Sequence, residues 1–205
     1  VKLLGAWSQY LRHFNDMTVV DFLWSLSEAL PAGLYDGRGI EYFIRNGLAS
    51  LNYSNEFQDL PKELYIIATD LDTGERAVFG NDYHEEASIS EAVAASSAMP
   101  LIYKPVCIGD HEYIDGGIRG TASIDLAIEM GATLVVCINP LVPFDNHTHE
   151  SLAILDKEGG HLSEKGIQSI ANQMLRIMLH SGLHYHVKQL RRAHPEVDII
   201  LIEPS

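Results

Sequence analysis

The residues of this chain best suited to chemistry are Tyr113-Ile114-Asp115-Gly116-Gly117. An apolar stretch stops there at a carboxylate, and two glycines follow. Asp115 is thereby set at a strand end, ahead of backbone that can bend tightly or approach a ligand closely. A carboxylate so placed sits where α/β folds set their chemistry, beyond the carboxyl ends of strands. The competing reading is a turn aspartate that caps nearby N–H groups, since Asp-Gly is also ordinary turn chemistry. Other groups have weaker spacing. Asp70 and Asp72 precede Thr73-Gly74 and read as turn caps rather than metal ligands. His147, His149 and Glu150 make no H-E-x-x-H, and His180 and His184, one helical turn apart, read as a polar pair on an exposed helix face. No metal and no cofactor is expected at any of them. Ser8 lacks the flanking glycines and preceding strand that a nucleophile elbow requires.

Several elements must cooperate to position Asp115. Residues 103–108 and 111–114 read as two strands turned at Gly109-Asp110, because glycine accepts positive φ in a tight hairpin. Residues 64–70 form a short apolar run turned by Asp72-Thr73-Gly74 into a strand at 76–79. Ser88-Ile89-Ser90-Glu91 is a capping box that opens a helix of small residues to Ala98. After the glycines, residues 121–130 read as a helix stopped by Gly131, and 133–138 as a covered parallel strand. Strand, helix and strand there make a βαβ crossover. Upstream, helices are expected at 1–14, 18–30 and 36–48, the last with Ile40, Phe43 and Ile44 on its apolar face. Downstream, 140–162 is polar and reads as a surface loop or lid. A long helix at 163–194 carries an apolar stripe of Ile167, Ile170, Met174, Ile177 and Met178 that reads as core. An apolar strand at 197–202 ends the chain.

The order Ala92-Val93-Ala94-Ala95-Ser96-Ser97-Ala98-Met99-Pro100, hairpin, Asp115-Gly116-Gly117, helix, Leu134-Val135-Val136 resembles the patatin-like phospholipases. Ile66-Ile67-Ala68-Thr69-Asp70-Leu71-Asp72-Thr73-Gly74 also resembles a strand-and-turn segment of that family, and the likeness is clearest over residues 60–139. The resemblance implies a three-layer α/β/α fold with a mostly parallel central sheet. It further implies a lipid or other carboxylic ester as substrate, and a Ser–Asp dyad in which Asp115 is the base and Gly116 and Gly117 belong to its motif. The nucleophile of such enzymes sits in G-x-S-x-G and the oxyanion loop is a glycine run. These 205 residues hold neither. The expectation is therefore that residues 1–205 are the C-terminal part of a single hydrolase domain, with both missing motifs upstream of Val1. Where the family often has Asn-Leu-Pro, this chain has Gly120-Thr121-Ala122, so substrate contacts after the glycines are not carried over.

Composition narrows the partners. A net charge of −14 opposes binding to the phosphate backbone of nucleic acid and attraction to anionic membrane surfaces. Peripheral membrane contact through an apolar patch, or action on soluble esters, stays open as a route to substrate. No apolar run approaches the roughly 18 residues of a membrane span. Cys107 and Cys137 share no metal or redox spacing and lie in apolar runs, so both are expected as buried free thiols, a state that leans towards a cytoplasmic, reducing compartment. Two other functions compete with the hydrolase: a catalytically inactive module of the same fold, and a nucleotide-binding α/β domain. The latter is disfavoured because no strand is followed by G-x-G-x-x-G or a P-loop.

Overall fold

The structure is a computed structural model and describes residues 33–81, 83, 86–120, 122–144 and 166–204. The helices expected at 1–14 and 18–30, and the lid with its histidine tract from residue 145 to 162, lie outside the described residues. Among the described residues no helix is long and apolar enough to cross a membrane.

The chain begins with β1 (Gly33–Tyr35) and α1 (Arg38–Ser50). It continues through β2 (Ile66–Asp70), β3 (Arg76–Phe79) and α2 (Ile89–Ser96). Next come β4 (Leu101–Tyr103), β5 (Val106–Ile108), β6 (His111–Asp115) and α3 (Ile124–Glu129). Strand β7 (Leu134–Ile138), helix α4 (Ile167–Ala193) and strand β8 (Asp198–Ile202) complete it.

This is an α/β arrangement, but its largest sheet is antiparallel. Four strands run in the order β3-β2-β6-β5, every neighbour antiparallel, while β1-β4 and β7-β8 are separate parallel pairs. The hairpin at Gly109 forms as expected, with φ +59 at that glycine. Residues 103–108 are not one strand, because Pro105 donates no N–H and the chain passes from β4 to β5 there. The expected βαβ crossover is also corrected. Strand β6 pairs with β2 and β5, while β7 pairs with β8 in another sheet.

One core lies between the antiparallel sheet and α2. The Ser88 capping box opens α2, with the Glu91 carboxylate accepting the Ser88 N–H at 2.9 Å. Small side chains let the helix settle against the sheet: Ala92 and Ala95 are fully buried. Below them the rings of Phe79 and Tyr113 meet edge-on, centroids 5.2 Å apart, which suits the aromatic quadrupole. A second core joins α3, β7, α4 and β8 through Ile124, Cys137, Leu183, Val187, Leu190 and Ile199.

Several expected burials fail. Strand β7 is covered on one face only, with Leu134, Val136 and Ile138 exposed. Phe43 of α1 is exposed, and so are Ile170, Met174, Ile177 and Met178 of α4. The buried face of α4 is set instead by Leu183, Val187 and Leu190, which contact β7 and β8. Cys137 is buried, but Cys107 is exposed because it lies on the open face of the sheet-edge strand β5.

Candidate active site

Asp115 ends β6 and is held by its own backbone before its side chain does anything. It pairs with Ala68 of β2, its N–H donates to the Ala98 carbonyl at 3.1 Å, and its carbonyl accepts the Thr69 hydroxyl at 3.1 Å. Strand β2 and the turn that follows α2 thus fix the Cα of Asp115 from two sides. The next three residues, Gly116–Ile118, form a 3-10 turn.

Both glycines have a steric reason. A Cβ on Gly116 would stand 2.3 Å from the Ile67 carbonyl oxygen, so only glycine lets the loop lie against β2. At Gly117 a Cβ would come within 2.9 Å of Asp115 Oδ1, the atom that accepts the Gly117 N–H at 2.7 Å. The half-buried carboxylate is therefore aimed at backbone and makes no ion pair among the described residues. Burial pushes its pKa above the ordinary carboxylate value, against the opposing pull of the Gly117 N–H. A carboxyl raised in this way is a stronger proton acceptor than a solvated aspartate.

A cavity of about 340 Å³ borders the loop at Gly116 and is lined further by Arg76, Arg119, Ser123, Asp125 and His186. Asp115 is not among its lining residues. The cavity wall is tied by Arg76 Nη1 to Asp125 Oδ2 at 2.6 Å, while Asp125 Oδ1 is buried with no hydrogen-bond partner among the described residues.

Asp70 behaves as a turn residue. Its Oδ1 accepts the N–H groups of Asp72 and Thr73 at 2.9 and 3.0 Å, and Oδ2 meets His111 Nδ1 at 2.8 Å. Asp72 Oδ2 accepts the Glu112 N–H at 3.3 Å, which ties that turn to β6. His180 and His184 are not a free-standing pair. Both rings point at Glu203, a residue that sequence spacing did not single out because it lies 19 positions beyond His184.

The model of the patatin-like phospholipases matches residues 4–128, more than half of the chain, and Asp115, Gly116 and Gly117 fall inside the match. The chain belongs to the patatin-like phospholipase family. It is also similar to the probable lipid hydrolase 463L of Invertebrate iridescent virus 6, at 23% identity over 126 residues. That alignment covers 58% of this chain and 43% of the viral protein, so the chain spans less than half of that relative's length.

Proposed function

We propose that this chain carries the acid half of a serine acyl hydrolase acting on lipid or other carboxylic esters, with Asp115 as general base. The observation that carries the reading is the Asp115 carboxylate itself: half-buried, fixed by β2 and α2, bonded to one backbone N–H and raised in pKa. The nucleophilic serine would come from a G-x-S-x-G lying outside these 205 residues. Asp115 would take the proton of that serine as its oxygen attacks the ester carbonyl, and return it to the departing alcohol. In the second half, Asp115 would deprotonate water as it attacks the acyl-serine and return that proton to the departing serine oxygen, freeing the carboxylic acid. Backbone N–H groups of a glycine loop would hold the oxyanion in both halves.

The same reading makes residues 1–205 the C-terminal part of one three-layer domain, with β7 and β8 belonging to a mostly parallel central sheet. The uncovered apolar side chains of Leu134, Val136 and Ile138 support it, since a central strand needs cover on both faces. The exposed Ile and Met stripe at the start of α4 adds an apolar surface by which lipid could be approached. The residue-179 side chain of that helix reaches the Asp115 loop, 3.9 Å from where a Cβ on Gly117 would sit.

A fluorophosphonate probe tests this reading, because it reports an activated serine. The longer protein should label at the serine of a G-x-S-x-G, and the 205-residue chain alone should not. Stoichiometric labelling of the short chain would overturn the division of the dyad, and no labelling of the longer protein would favour the inactive module. Hydrolysis of a short-chain nitrophenyl ester by the longer protein should also survive a strong chelator. Activity lost to the chelator and restored by zinc or calcium would contradict a dyad mechanism.

A further inference from the structure

His180 and His184 leave the same face of α4, one turn apart, with ring centroids 4.4 Å from each other. Glu203 directly follows β8 and faces them. Its Oε1 lies 3.3 Å from His180 Nε2, and its Oε2 lies 2.9 Å from His184 Nε2. The three donor groups lie within 4.8 Å of one another. A tetrahedral zinc ion, bound at about 2.0–2.1 Å, spaces its ligand atoms about 3.3–3.4 Å apart. The separation of His180 Nε2 from Glu203 Oε1 already matches that shell, while His184 Nε2 meets the other oxygen of the same carboxylate.

The carboxylate is also held in the way a ligand usually is. Buried Asn139, which directly follows β7, donates from Nδ2 to Glu203 Oε1 at 2.7 Å. The asparagine is locked in turn, since its N–H donates to the Ile202 carbonyl at 2.9 Å and its Oδ1 accepts the Leu141 N–H at 3.1 Å. An outer partner of this kind orients a coordinating carboxylate and is part of a working metal site. One ligand follows a parallel strand and two lie on a helix, so their spacing is set by packed elements rather than by a loop. His184 is half exposed, which leaves an entry path and room for a water as fourth ligand.

We propose that His180, His184 and Glu203 bind a divalent transition-metal ion, zinc by its donor set, and that the ion pins α4 to the carboxyl end of the β7–β8 pair. Two imidazoles and one carboxylate suit zinc and exclude the all-oxygen shells of magnesium and calcium. None of the three residues is part of the proposed dyad, so this inference does not rest on the hydrolase reading.

Untagged, chelator-stripped protein titrated with Zn2+ at neutral pH decides it. One ion should bind per chain, and at a hundredfold excess over Kd the melting temperature should rise by about 5–10 °C. Mg2+ and Ca2+ should leave it unchanged. His184→Ala and Glu203→Gln should each weaken zinc binding by more than the roughly 10–100-fold that loss of an outer partner usually costs. Should Glu203→Gln fail to fold, His180→Gln and His184→Gln, whose side chains are partly exposed, carry the same comparison. No saturable binding, or binding of equal strength in the histidine variants, would overturn the site and leave a hydrogen-bonded His–Glu–His clamp.

Discussion

Asp115→Asn in the complete hydrolase should lower ester turnover by about two to four orders of magnitude, the usual contribution of a general base. Stability should hold or rise at neutral pH. The amide oxygen can still accept the Gly117 N–H, and the substitution removes a carboxylate whose charge is penalised by burial. Because the folded-state pKa is raised, the native state holds more protons than the unfolded chain between the two pKa values. Wild-type stability therefore falls as pH rises through that window, and the advantage of the asparagine variant should vanish in acid. The acid limb of turnover should lie above the ordinary aspartate value for the same reason. Asp110→Asn, in the exposed hairpin turn, should change stability by no more than about 0.5 kcal/mol and leave turnover intact. If Asp115 were only a turn cap, its asparagine variant would keep near-normal turnover. Near-normal turnover would end the catalytic assignment.

Gly116→Ala should be the most damaging methyl group that can be added near the site. Its Cβ would meet the Ile67 carbonyl oxygen at 2.3 Å and the carbonyl carbon at 2.8 Å, both backbone atoms of a paired strand. Relief requires β2 and β6 to shift across the Ala68–Asp115 register, so both fold and carboxylate move. A loss of about 1–3 kcal/mol or more is expected, as for forced overpacking. At about 2–4 °C per kcal/mol for a chain of this size, melting should drop by several degrees. Gly120→Ala meets nothing within 4 Å among the described residues and serves as the silent control. Gly117→Ala presses on Asp115 Oδ1, the end of a side chain that can turn away, so turnover should suffer more than stability. An unchanged melting temperature in Gly116→Ala would show that the loop does not depend on close approach to β2.

Local structure near the site was legible in the sequence. The capping box at Ser88, the glycine at the β5–β6 turn, the stop at Gly131 and the strand end at Asp115 each depend on residues a few positions apart. Local backbone preference and hydrogen bonding decide such features, and both are properties of short segments. Periodicity likewise identified α4 and β8 as elements. It could not say which apolar face of α4 finds a partner: Met174 and Met178 fit a core stripe as well as Leu183 and Val187 do, yet only the latter meet β7 and β8.

Strand pairing lay beyond sequence reading for a related reason. The order strand, helix, strand around α3 is compatible with a crossover, and only the hydrogen bonds of β6 to β2, some 45 residues earlier, place it in an antiparallel sheet. The sequence by itself determined that Asp115 stands at a strand end before two glycines, together with the family likeness around it. Tertiary structure alone decided why Gly116 must be glycine, how deeply the carboxylate is buried and which residue faces His180 and His184. Those depend on the backbone of Ile67, on the cover given by β2 and α2, and on Glu203 at the end of β8, all remote in the chain. A sequence states which side chains are available to a site, but distances between them exist only once long-range packing has closed the intervening chain.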